Sequence, residues 1–415
     1  SQMTLKVAFL DHPFHRKTKS SHFFTEILER DFHVDTYYIE SDSRDLLQIV
    51  VSKNYDTIVC WQTEYCAPYL LAKGQRVVCI PMYDGVANAP DIYWTSMRQA
   101  RFLSFSHAIH RRLLDLDIES YYFQYFNPDH VALPQADFSN GLKFFFWQRR
   151  PEDGLSGSFA RRVAKAVIAG QEGKTQGWQL HVHNAPDAER ADKWEPLSAT
   201  SVSTFLPSAD HYRKLLSEAN VFICPRYTEG IGMTMLEALA RGMFVVAHDE
   251  PTANEYITEG VNGALVDFYQ YRDREGDDED SSDDEPKDLD RSSFENLDIA
   301  SCGKIARQRY LEGINRWSEK SKDIPFLIRT TPRADLRLAE LDMANDALEA
   351  SRYGQDDFEQ YINELRRLAS KGFSGKEASN LNLKDIVIFR LENGRVHRAV
   401  GVISDFFEGI FRKVF

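Results

Sequence analysis

Glu229 and Glu237, with seven residues between them, lie in the stretch of this chain whose residue types and order say most about chemistry, 225–267. A carboxylate accepts hydrogen bonds from two neighbouring hydroxyls at once, so carboxylates beside a close backbone approach suit a hydroxyl-rich ligand. In a chain this acidic the spacing of two glutamates alone specifies little; the ordered context carries the signal. The apolar run Val221-Phe222-Ile223-Cys224 has strand length and stops at Pro225. Gly230 and Gly232 then let the backbone come close to a ligand, and Met233 opens an apolar-periodic helix. Gly242 falls where a helix end favours a left-handed residue, and Phe244-Val245-Val246-Ala247 follows as a second buried strand. Such a strand, loop, helix, strand unit points loop N–H groups beyond the carboxyl end of a sheet, a position that suits phosphate.

The elements that must position this unit alternate along the chain. Short apolar strands are expected at 6–10, 33–39, 57–60, 77–81, 101–105 and 121–123, with helical segments between them and a helix at 108–114. This is the rhythm of a doubly wound α/β sheet. A second α/β series starts with the aromatic strand 142–147 and continues through a helix at 159–169, a strand at 179–183, the segment 204–207 and a helix at 210–218. Residues 299–317 read as a further helix, and 336–351 and 358–369 as amphipathic ones. At the end, Ile403, Phe406, Phe407, Ile410, Phe411, Val414 and Phe415 fall on one helical face bordered by Arg412 and Lys413. That face suits docking on the protein's own core or peripheral contact with a membrane.

A chain of 415 residues, 43% hydrophobic, is long enough for two full α/β cores. It has no run of 18 apolar residues, and its first apolar stretch reads as a strand and not as a cleavable signal, so a cytoplasmic setting is expected. Five cysteines, at 60, 66, 79, 224 and 302, are odd in number and lack metal-ligand spacing, which fits buried thiols. The net charge of −13 is concentrated: residues 272–291 hold eleven acids and four bases, and are expected as a solvated insertion without the glycine and closing glutamate of a calcium loop. The absence of a basic stripe argues against nucleic acid as a partner.

The ordered context of 225–267 resembles the donor motif of the family-four retaining glycosyltransferases, of the group 1 type. The residues that carry the resemblance are Glu229, Gly230-Ile231-Gly232, Glu237-Ala238, Ala240, Gly242, Val245-Val246-Ala247 and Glu255-Tyr256-Ile257. It implies the GT-B fold: α/β, two Rossmann-like doubly wound domains facing a central cleft, here with an extra helical C-terminal segment. Phe126-Asn127-Pro128-Asp129 resembles the turn that closes the family's first domain, which places an acceptor domain at 1–135, a donor domain at 136–325 and the extension at 326–415.

The resemblance further implies a nucleotide diphosphate sugar as donor, a hydroxyl acceptor, no metal and no other cofactor. Glu237 would hold the ribose diol, Glu229 the transferred sugar, and the backbone from Gly230 through Ile231 and Gly232 to Met233 the diphosphate at a helix N-terminus. Relatives also carry an arginine and a lysine against the diphosphate; here Arg149 aligns with the arginine, Asp153 stands at the lysine, and Arg150 is the substitute cation. Asp84 stands near the position of the family's sugar-side histidine. The loop after the first strand, 11–22, is basic and has none of the family's glycines. By resemblance the leaving phosphate takes the acceptor proton, and a polysaccharide or glycoconjugate is the product. The missing lysine and glycines leave a second reading, a catalytically weak partner or scaffold subunit.

Overall fold

The structure is a computed structural model that describes residues 3–40, 44–89, 91–171, 177–184, 200–204, 209–274 and 293–335. Most of the acidic run, 275–291, lies outside them, as do 205–207 and the C-terminal segments 336–351, 358–369 and 403–415. The chain divides into unit 1, Ser1–Phe123 with the residues that follow from Lys320, and unit 2, Gln124–Glu319.

Unit 1 is a six-stranded sheet built from β1 (Lys6–Asp11), β2 (His33–Tyr38), β3 (Thr57–Trp61), β4 (Val77–Ile80), β5 (Arg101–Ser104) and β6 (Ser120–Tyr122), in the order β2-β1-β3-β4-β5-β6. Every pairing is parallel. Parallel strands covered on both faces read as near-continuous apolar runs, and β3, β4 and β5 are buried throughout, whereas the edge strand β2 is half exposed. Phe9, Phe24, Trp61 and Phe105 pack together on one face, and Leu10, Ile58, Cys60 and Leu70 belong to the core of the other. The helix Ile324–Arg329 completes this unit: Arg101 Nη1 donates to Leu327 O at 2.8 Å and Thr57 Oγ1 to Ile328 O at 3.1 Å.

Unit 2 contains β7 (Lys143–Gln148), β8 (Gln179–Asn184), β9 (Thr200–Thr204), β10 (Val221–Ile223), β11 (Phe244–His248) and β12 (Ala264–Val266), ordered β12-β11-β10-β7-β8-β9 and again all parallel. The two sheets are Rossmann-like, as the sequence implied. Residues 124–135, expected with the first domain, group with unit 2 because they pack on the helix Ile299–Lys320. Asn127 N donates to Tyr310 Oη at 2.9 Å, and the Phe126 ring lies so close to Gly313 that an added Cβ would come within 2.3 Å of it. All five cysteines are free and buried, and among the described residues no helix is long and apolar enough to cross a membrane.

The helix Ile299–Lys320 also rests on the turn that ends the Met233–Ala240 helix. A Cβ built on Gly303 would meet Gly242 O at 2.1 Å, a backbone atom that cannot swing aside. Alanine normally stabilises a helix by about 1 kcal/mol over glycine. Here overpacking wins, and Gly303→Ala should destabilise unit 2 by about 2 kcal/mol in urea denaturation.

Candidate functional site

Strand order reverses in unit 2 between β7 and β10, so the loops that follow these two neighbouring strands leave their carboxyl ends in opposite directions and open a crevice. One loop is 149–156 and the other 224–232; all candidate residues except Asp84 sit on these loops or on the helix Met233–Ala240. Asp84 belongs to unit 1, on the short helix Tyr83–Val86; burial above all, with a smaller part from the Asp84 charge, raises the pKa of Glu64.

Two helices start at this crevice, and they differ. The N-terminus of Gly157–Gly170 is closed by the protein: Ser156 Oγ accepts from Ser158 N and Phe159 N, and Gln148 Oε1 accepts from Gly157 N at 2.7 Å. Gln148 is fully buried at the end of β7, and its Nε2 donates to Asn184 Oδ1 at 2.8 Å, tying β7 to β8. The N-terminus of Met233–Ala240 has no side-chain cap. Its cap residue, Gly232, is left-handed (φ 82°), and a Cβ there would press on Met235 Cε at 3.1 Å, so the turn needs glycine. Of the two, this helix start is the one left to receive an anion.

Glu229 is 5% exposed, and Arg226 Nη2 donates to its Oε2 at 2.9 Å. Its Oε1 is buried with no hydrogen-bond partner among the described residues, a state that costs energy until a donor arrives. The backbone beneath is braced from the β11 loop, where Thr252 Oγ1 lies 2.9 Å from Glu229 O and 2.8 Å from Gly230 O. Glu237, within the helix Met233–Ala240, is held by Arg241 Nη2 at 3.2 Å. Beside it Tyr212 Oη is buried without a partner among the described residues, and burial, followed by the Glu237 charge, keeps this phenol well above its ordinary pKa. Trp147, His183 and Tyr212 form a ring cluster with centroids 5.6 to 6.3 Å apart. Burial pushes His183 down to about 4, so it is neutral at pH 7.

The Arg149 guanidinium lies 5.8 Å from the Trp147 ring centroid, and Arg150, 40% exposed, pairs with Glu152 at 3.4 Å. Asp153 is partly buried, which raises its pKa, and its carbonyl accepts from Tyr227 Oη at 3.1 Å. The residue that closes β7 is Gln148, so Arg149 stands one position past the strand end. Sequence reasoning missed Gln148, Thr252, Arg226 and Arg241. The last two were marked by opposite charge three and four residues from a glutamate, the spacing of helical neighbours.

Residues 159–276 match the model of the family described as glycosyl transferases, group 1. Among curated proteins, the alpha-maltose-1-phosphate synthases of Mycobacterium tuberculosis and Mycolicibacterium smegmatis are 41% identical over 56 residues. That match spans 14% of this chain and 14% of theirs. Among solved structures, a sucrose-phosphate synthase from Thermosynechococcus elongatus aligns over 78% of this chain and 98% of its own, with a TM-score of 0.54 at 14% identity. A glycosyltransferase from Rickettsia africae (79% and 100%, TM-score 0.51, 12% identity) and a trehalose-6-phosphate synthase (80% and 100%, TM-score 0.51, 10% identity) are similar as well. These likenesses show a shared GT-B architecture.

The Arg226–Glu229 pair gives a test of the geometry. Removing the cation alone leaves a buried carboxylate uncompensated, so Arg226→Met should cost about 3 kcal/mol in denaturant unfolding. Adding Glu229→Gln should recover most of that loss, because the orphaned charge is then gone.

Proposed function

We propose that this chain, whose residues 159–276 are a group 1 glycosyltransferase domain, transfers a sugar from a nucleotide diphosphate donor to a hydroxyl acceptor, with retention at the anomeric carbon. The observation that carries the reading is the uncapped, glycine-turned start of Met233–Ala240 lying between two carboxylates, each with one oxygen held by an arginine. The amides of Gly230 to Met233 receive the diphosphate, Glu237 the ribose diol and Glu229 hydroxyls of the transferred sugar, beginning with its unpartnered Oε1. The neutral rings of Trp147, His183 and Tyr212 beside Glu237 suit a flat base.

In a retaining course the hydroxyl attacks on the face from which the diphosphate leaves. The protein then acts by stabilising charge on the departing phosphates, a task assigned to the loop amides with Arg149 and Arg150 and not to a metal ion. Asp84 is assigned to polar contact at the reaction centre. A role in polysaccharide or glycoconjugate assembly, in the cytoplasm or at a membrane surface, completes the reading. Asp153 at the lysine position and the diversion of Arg150 to Glu152 favour a second one, a partner subunit that binds a donor without turning it over.

Thermal-shift screening of nucleotide sugars tests binding: a ligand at a hundred times its Kd should stabilise the protein by about 2.7 kcal/mol. Glu237→Ala should abolish most of that shift while the protein stays folded; an unchanged affinity in calorimetry sinks the assignment. Changing Arg149 and Arg150 together to Ala should slow nucleoside diphosphate release about a hundredfold. Wild-type protein that binds a donor and releases none of it across an acceptor panel supports the partner-subunit reading.

A further inference from the structure

Unit 2 holds a cavity of about 260 Å³ that is lined by its own residues alone and by none of those assigned to the donor. Leu239 borders it in the last turn of the helix Met233–Ala240, the opposite end from the start assigned to the diphosphate. The walls come from three segments: the chain at Gln124 and Phe126, the stretch 255–262 after β11, and the helix Ile299–Lys320. Hydrogen bonds fasten these together. Gln124 Nε2 donates to Glu255 O at 3.0 Å, Tyr256 Oη to Tyr125 O at 2.8 Å and Arg309 Nη1 to Thr258 Oγ1 at 3.0 Å.

The apolar lining is aromatic: Phe126, Tyr256 and Tyr310 are buried, and the Phe126 centroid lies 5.4 and 5.1 Å from the other two. The charged lining is balanced, with Glu255 and Glu312 offsetting Arg309 and Arg316. On the helix, Arg309, Glu312 and Arg316 stand three and four residues apart, the spacing of ion pairs, yet among the described residues no ion pair joins them. Glu312 accepts from Gln308 Nε2 at 3.4 Å, and the Arg316 guanidinium rests 5.6 Å from the Phe126 centroid. Guanidinium forks donate and carboxylates accept, so the wall offers both halves of what a hydroxyl needs, without the excess of one sign that an ion needs. A volume below the roughly 300–1,000 Å³ of clefts for drug-sized molecules limits the occupant to about one ring.

We propose that this cavity binds a neutral sugar ring, free or at the end of a glycan, at a site separate from the donor crevice. Arg309 and Arg316 donate to its hydroxyls, Glu255 and Glu312 accept from them, and the rings of Phe126 and Tyr256 cover its C–H face. Binding here does not require that the chain turn over a donor, so its failure leaves the transfer reading standing.

Saturation-transfer NMR on the full chain reads the binding of glucose, galactose, mannose and maltotriose. At least one should bind, and Arg316→Ala and Glu312→Ala should each weaken it about tenfold, the loss expected for a hydrogen bond to a charged group. Glu312 is exposed and its bond from Gln308 is long, so Glu312→Ala leaves the fold intact. Glu237→Ala, in the donor crevice, should leave sugar binding unchanged. An anion answers Glu312→Ala with the opposite sign, because a repelling charge is removed. Binding that strengthens in Glu312→Ala, or a sugar displaced by inorganic phosphate, therefore overturns the inference. So does a chain that binds none of the four sugars, or one whose binding is lost in Glu237→Ala and kept in Glu312→Ala. Maltotriose bound more tightly than the hexoses supports a glycan end as the occupant, and equal binding supports a single ring.

Discussion

Parallel pairing gives every strand of a sheet the same direction, and a single reversal of strand order then decides where a crevice opens. In unit 2 that reversal falls between β7 and β10. Everything in the candidate site depends on it: the loops 149–156 and 224–232 become neighbours, two helices start there, and their first amides face the same space. Side chains then decide which start stays open. Gln148 and Ser156 fill one, and the glycines of the other leave it bare.

The charged groups follow from the same constraint. Placing Glu229 and Glu237 in a largely buried rim costs desolvation, and Arg226 and Arg241 offset it without occupying both oxygens of either carboxylate. Each pair is nearly neutral overall, which suits the uncharged sugar and ribose of the donor proposed above. The cations expected at the diphosphate are less tightly held than these two, since Arg150 is 40% exposed.

Most strands of both sheets were legible because covered parallel strands read as unbroken apolar runs, such as Phe144-Phe145-Phe146 and Val221-Phe222-Ile223. The strand β9, Thr200-Ser201-Val202-Ser203-Thr204, was missed apart from its last residue, because an edge strand needs β-branched residues more than apolar ones. The turn at Gly232 and the helix end at Gly242 were legible from glycine alone, and both residues have φ above 70°. What could not be read was partnership. Gln148 is an unremarked polar residue until Asn184 and Gly157 are brought to it from 36 and 9 residues away. Likewise, the grouping of 124–135 with unit 2 depends on Tyr310, which no local pattern connects to Asn127.

Unit 1 is discontinuous in sequence. The carbonyls of Leu327 and Ile328 bond to Arg101 and Thr57, so its core includes residues made some 200 positions after Phe123. Synthesis from the N-terminus at about 5–20 residues per second therefore leaves the first six strands waiting roughly ten to forty seconds for the helix Ile324–Arg329. Unit 2, continuous in the chain, can close during that interval. The order of completion on the ribosome is thus the reverse of the order of sequence, and the first unit begun is the one that most needs protection while the rest is made.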